Sequence, residues 1–157
     1  FPCGEDSEHR QRAGSRKQRD HEADRSMKEW LRGLLGRKGE QRAAAFLQKK
    51  GLRIVGRGVA NRCGEIDLIA LDGETIVFVE VRTRQSLDAG HPAESVTLEK
   101  QARVTRAALS YLKSKKLWNR RARFDVVAIV WPEGARDPQI EHYQSAFEAV
   151  GPESMHG

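Results

Sequence analysis

The sequence predicts an α/β domain with a mixed central sheet, flanking helices and a strand hairpin that carries an acidic site. Three observations predict it. The elements read in the order helix, three strands, helix, one strand and a short end. Asp72-Gly73, a favoured tight-turn pair, separates two apolar runs and makes them a hairpin. Asp67 and Glu80 stand in opposite arms of that hairpin, among residues otherwise fit for burial.

Residues 1–26 hold six acidic and six basic side chains and almost nothing to bury, so they read as a disordered extension. Their composition also suggests that translation starts near Met27. Trp30, Leu31, Leu34 and Leu35 suit a short docking helix, kept short by Gly33 and Gly36. The extension reaches residue 37, the α/β domain covers 38–150, and 151–157 is a tail. A firmer helix runs from about Lys38 to Lys50, with Gly51 as its cap. Ala43, Ala44 and Leu47 form its buried stripe. Glu40 lies on that face, either as an ordinary first-turn acid or as a group reaching toward Asp67 and Glu80.

Leu52–Val55 reads as a strand that Gly56-Arg57-Gly58 breaks or bulges. The hairpin arms are Glu65–Ala70 and Thr75–Arg82. Alternation puts Ile66, Leu68 and Ala70 on one face and Glu65, Asp67 and Ile69 on the other. It also puts Glu80 and Arg82 on one face. The stretch after Arg82 is polar and rich in breakers, and reads as a loop beside the site. His91 there reads as an exposed loop histidine. Ser95 or Thr97 caps a helix over Leu98–Lys113, with Leu98, Ala102, Thr105, Leu109 and Leu112 on one face. Lys100, Arg103, Arg106 and Lys113 fall mostly off that face, and Gln101 borders it. Phe124–Val130 is a strand, Gln139–Tyr143 an edge strand, and Ser145–Val150 a helical turn.

Lys and Arg number 28 against 22 Asp and Glu, a net +6 carried entirely by residues 27–157. The run Lys113–Arg123 holds Lys113, Lys115, Lys116, Arg120, Arg121 and Arg123 with no acid, and Trp118 lies among them. Such a run is either a solvated face or a contact for a nucleic-acid backbone. Two cysteines, Cys3 and Cys63, make no disulfide framework and fit a cytoplasmic location. No run of about 18 apolar residues is present to span a membrane. No Cys/His cluster has zinc spacing, and no dinucleotide, phosphate-loop or nucleophile-elbow motif is found.

A divalent cation between Asp67 and Glu80 would explain the carboxylates. Magnesium or manganese prefers hard oxygen ligands, and phosphodiester hydrolysis is the chemistry they support. Arg82, two residues from Glu80 on the same face, would stabilise the developing charge. The opposing reading is a charged cluster in which Glu80 and Arg82 pair with each other or with Asp67.

The motifs Gly64–Ile69, Phe78–Arg84, Pro92–Thr97, Arg123–Val126, Ile140–His142 and Ala146–Phe147 resemble the YraN-like family of uncharacterised bacterial proteins over about residues 38–150. The resemblance implies a restriction-endonuclease-like core of the PD-(D/E)xK nuclease type, similar to archaeal Holliday-junction resolvases. It implies that Asp67 and Glu80 hold the metal, that Glu40 joins from the first helix, and that Gln101 supports the site from the second. It leaves the substrate open; the net charge and the Lys113–Arg123 run make DNA, branched DNA included, the expected partner. The family lysine is Arg82 here, and arginine cannot give up its proton to serve as a base. The glycine-rich stretch Gly56–Cys63 also departs from the family pattern. Three functions follow as expectations: a metal-dependent nuclease, a non-catalytic nucleic-acid-binding protein on a nuclease fold, and a protein–protein adaptor. The oligomeric state stays open, a homodimer included.

Overall fold

A computed structural model describes residues 6–84 and 96–151, with side chains from 18–27 and from 36 onward. The chain divides into two compact units, Phe1–Arg37 and Lys38–Gly157. Helix α1 (Asp6–Lys49) is followed by β1 (Arg53–Asn61), β2 (Gly64–Asp72), β3 (Thr75–Arg84), α2 (Leu98–Ser114), β4 (Ala122–Val130) and β5 (Gln139–Phe147). α1 runs through residues 6–37, which the sequence reads as a disordered extension. Arg, Lys, Gln, Glu and Ala dominate residues 6–37, all strong helix formers, and no proline interrupts them. Residues 18–27 are exposed along it. The side chains of Trp30, Leu31, Leu34 and Leu35 lie outside the described residues, as do His91 and Ser95.

The five strands form one mixed sheet in sequence order. β3 and β4 pair in parallel and the other neighbours are antiparallel. Antiparallel neighbours need only short turns, whereas the parallel pair needs a crossover, which α2 supplies. The β2–β3 turn closes on Asp72 and Thr75, with Gly73 in the left-handed region at φ 60. The glycine-rich stretch does not end β1. It is absorbed by a bulge between Ile54 and Gly56, and the strand continues to Asn61.

Each face of the sheet buries one helix. Ala43, Ala44 and Leu47 of α1 pack on Leu68, Ala70, Val77, Val79, Val127 and Ile129. Gly39 permits this approach, since a Cβ there would come 2.6 Å from Thr83 Oγ1. The helix stops in a left-handed cap: Gly51 N–H donates to Gln48 O at 3.0 Å and Leu52 N–H to Leu47 O at 3.0 Å. On the other face Val104, Ala107, Ala108 and Leu112 of α2 pack on Ile69, Ile76, Phe78 and Phe124. Ile66 joins this second cluster, so the expected face shared by Ile66, Leu68 and Ala70 holds only for the latter two. The buried stripe of α2 is also shifted, because Leu98 and Leu109 are exposed. β5 extends through Phe147, where a helical turn was expected. Its Phe147 ring stacks on Phe124, 5.0 Å between centroids.

Candidate metal and phosphate site

β2 and β3 pair as far as Leu68 and Val79. Beyond that point the Val81 N–H donates to Asp67 Oδ2 at 2.9 Å. The carboxylate of Asp67 is thereby fixed next to Glu80. Alternation along β3 turns Glu80 and Arg82 to the α2 side, with Val79 and Val81 toward α1.

Glu80 is 4 % exposed. Burial, the charge of Asp67 and a hydrogen bond shared with Asp67 push its carboxyl from an ordinary 4.5 up to about 7, against the opposing pull of Lys100 and Arg82. Arg82 Nε lies 3.6 Å from Glu80 Oε1, and Lys100 Nζ lies 3.5 Å from the same oxygen. Two carboxyls and two cations from β2, β3 and α2 therefore meet at one place.

Lys100 is the residue that sequence reasoning missed. A parallel crossover starts its helix near the end of the preceding strand. The first turn of α2 is thus carried to the end of β3 where Glu80 and Arg82 stand. That signal was open to use only once β3 and β4 were known to pair in parallel. Thr97 caps α2 as expected, its Oγ1 accepting from Lys100 N–H at 3.1 Å. Gln101 holds the same turn from behind, donating from Nε2 to Val96 O at 2.9 Å. Its side chain is engaged by the backbone before α2.

Glu40 is half-buried on α1, the helix on the opposite face of the sheet. Among the described residues no three His, Cys, Asp or Glu side chains are grouped to hold a metal ion. Asp67 and Glu80 form a pair across β2 and β3. The donor chemistry of that pair fits a hard divalent cation: adjacent carboxyl oxygens, one buried and held neutral-prone by its neighbour.

The basic run divides. Lys113, Lys115, Lys116, Arg120 and Arg121 are exposed, and Trp118 is 59 % exposed between them. Arg123 is committed elsewhere: Nε donates to Asp125 and Nη1 to Asp72 Oδ2 at 2.8 Å. Its alternation on β4 turns it toward Asp125 and Asp72. The exposed run lies at the far end of α2 from Lys100, about 20 Å away at 1.5 Å per residue. Arg103 and Arg106 are exposed on the helix between them. Cys63 is a free thiol, half-buried against the α2 cluster. No described helix is long and apolar enough to cross a membrane.

The family model described as "Uncharacterised protein family UPF0102" matches residues 39–129. A UPF0102 protein of Rhodopirellula baltica is 54% identical over 126 residues, 78% of this chain and 75% of that protein. A UPF0102 protein of Pelotomaculum thermopropionicum is 44% identical over 116 residues, 74% of this chain and 97% of that protein. One from Geotalea uraniireducens is 48% identical over 114 residues, 73% and 89% of the two chains.

Proposed function

The chain belongs to the uncharacterised protein family UPF0102, and from that premise we propose that it is a metal-dependent phosphodiester hydrolase acting on DNA, with branched duplexes the first substrates to test. The observation that carries this reading is geometric: the buried Glu80 carboxyl lies beside Asp67, with Lys100 Nζ 3.5 Å and Arg82 Nε 3.6 Å from it. An acid pair of this kind is costly unless something uses it. Asp67 and Glu80 would hold magnesium or manganese, which polarises a phosphoryl oxygen and makes bound water acidic.

The other groups act on the substrate directly. Val81 N–H keeps Asp67 oriented. Arg82 offers a charged fork to a phosphate oxygen but takes no proton from water. The exposed basic residues from Lys113 to Arg121 grip the backbone away from the site. No base-reading motif accompanies them, so shape selectivity fits this surface better than sequence selectivity.

Arg82 also favours a second reading, DNA binding without cleavage, because the strand lacks the lysine of the nuclease pattern. One panel separates the two. Wild type, Asp67→Asn, Glu80→Gln, Arg82→Ala and Arg82→Lys are incubated with linear, flapped and four-way DNA in magnesium or manganese. Hydrolysis requires cleavage by wild type that Asp67→Asn and Glu80→Gln abolish, and that Arg82→Lys keeps or raises. Retention of DNA in a mobility shift with no cleavage establishes the second reading. Cleavage surviving Asp67→Asn ends the proposed site, and neither cleavage nor binding by any variant supports an adaptor.

A further inference from the structure

We propose that Lys100, delivered from α2, is the cation that grips the substrate phosphate at the Asp67–Glu80 pair, beside Arg82 of the strand. This rests on the DNA reading above and adds to it a residue from another element. Lys100 Nζ is 3.5 Å from Glu80 Oε1, and Arg82 Nε is 3.6 Å from it. Both separations exceed the roughly 2.7–2.9 Å of a charge-assisted hydrogen bond, so neither cation is fully engaged by the acid.

The two cations differ in what they can reach. Arg82 Nε is buried without a hydrogen-bond partner and rides on a strand. The Lys100 side chain is 35 % exposed. Its ammonium is compact, on a flexible stem with three rotatable donors, and can leave Glu80 for a phosphate oxygen without moving the backbone. That backbone is held: Lys100 N–H is bonded to the Thr97 cap, and Gln101 ties the turn to Val96 O. Gln101 is thus a positioning residue for Lys100. The same helix continues through exposed Arg103, Arg106 and Lys113. A DNA backbone lying along α2 would meet Lys100 at the acid pair and the basic run at the other end.

The test uses the full chain with a labelled four-way junction and a linear duplex. Anisotropy gives DNA affinity in calcium and in EDTA, calorimetry gives manganese affinity, and gels give cleavage. Lys100→Ala should weaken DNA binding in calcium by about tenfold or more, the value of a charged hydrogen bond, and by less in EDTA. Its manganese affinity should be unchanged or higher, since a cation competing for Glu80 is gone. Adding Arg82→Lys to Lys100→Ala should restore part of the calcium-dependent affinity by supplying an ammonium from the strand. Equal DNA affinity of Lys100→Ala and wild type in calcium overturns the proposal. So does a loss of manganese affinity in Lys100→Ala, which would mean that the lysine only shapes the acid pair. Wild type that binds DNA without cleaving overturns hydrolysis alone, and the calcium comparison still decides Lys100. Wild type that binds no DNA overturns both.

Discussion

The contribution of Glu80 to stability depends on pH. Its carboxyl titrates near 4.5 in the unfolded chain and at about 7 in the folded one, chiefly through burial and Asp67. Below pH 4.5 both states hold the proton. Between these values the folded state holds the extra proton, so stability from this group is full at low pH and is lost as pH rises through about 7. Glu80→Gln removes that dependence. In EDTA, urea denaturation should show the variant more stable than wild type at pH 8, on the order of 2 kcal/mol, and little different at pH 4.5. Equal stability at pH 8 would mean that the buried acid carries no strain. At this scale the sequence was informative: Asp67, Glu80 and Arg82 announced themselves as charges inside apolar strands. Lys100 did not, because a lysine near a helix start looks like any solvated lysine until the crossover places it.

At the scale of the element, α2 carries the most information and was read least well. The expected stripe runs through Leu98, Ala102, Thr105, Leu109 and Leu112, whereas the structure buries Val104, Thr105, Ala107, Ala108 and Leu112. Small residues won because the helix lies close to β2: a Cβ on Gly64 would stand 3.7 Å from Arg103 O and 3.9 Å from Ala107 Cβ. Periodicity reports apolar size and does not report such close approach. The hairpin was legible for the opposite reason, since its turn and its alternation are both local. The end of α2 has an unusual backbone position. Lys116 takes the left-handed position of the cap at φ 57, with Leu117 N–H donating to Leu112 O at 2.8 Å, a place where glycine is favoured. Lys116→Gly should therefore raise stability by about 0.5–1 kcal/mol. It should also weaken DNA binding and reduce the salt slope by about one phosphate contact, near 0.9. Reversing Lys115, Lys116, Arg120 and Arg121 to Glu should remove most binding. Unchanged affinity in both variants would return the run to an ordinary solvated turn.

At the scale of the whole molecule, the α/β order was legible because each element announces its own period and breakers. What the order does not reveal is the polar network that ties the elements together. Asp125 on β4 is fully buried and accepts from Arg123 Nε at 3.1 Å, His142 Nε2 at 2.7 Å and Ser145 N–H at 2.9 Å. Arg123 reaches on to Asp72 at the end of β2, and Lys50, just past α1, donates to His142 Nδ1 at 2.8 Å. That donation leaves the histidine proton on Nε2, facing Asp125. The pairing of β4 and β5 is irregular between Phe124 and Val126, and the Asp125 carboxylate takes the Ser145 N–H that a regular ladder would have paired. One carboxylate thus ties β4 to β5. These bonds hold its pKa below the ordinary 3.8 despite burial, which acts the other way. A depressed acid contributes stability above its unfolded value and loses it as pH falls through the folded one. Asp125→Ala leaves Arg123, His142 and Ser145 N–H without this acceptor and should cost about 3–5 kcal/mol, a large share of a domain's stability. Asp125→Asn keeps an acceptor oxygen, so it should cost less and should flatten the stability profile of wild type below about pH 4. Urea denaturation followed by tryptophan fluorescence from pH 3 to pH 7 measures both. A loss below 1 kcal/mol for Asp125→Ala would show that the network is replaceable by water and that packing alone joins β5 to the sheet.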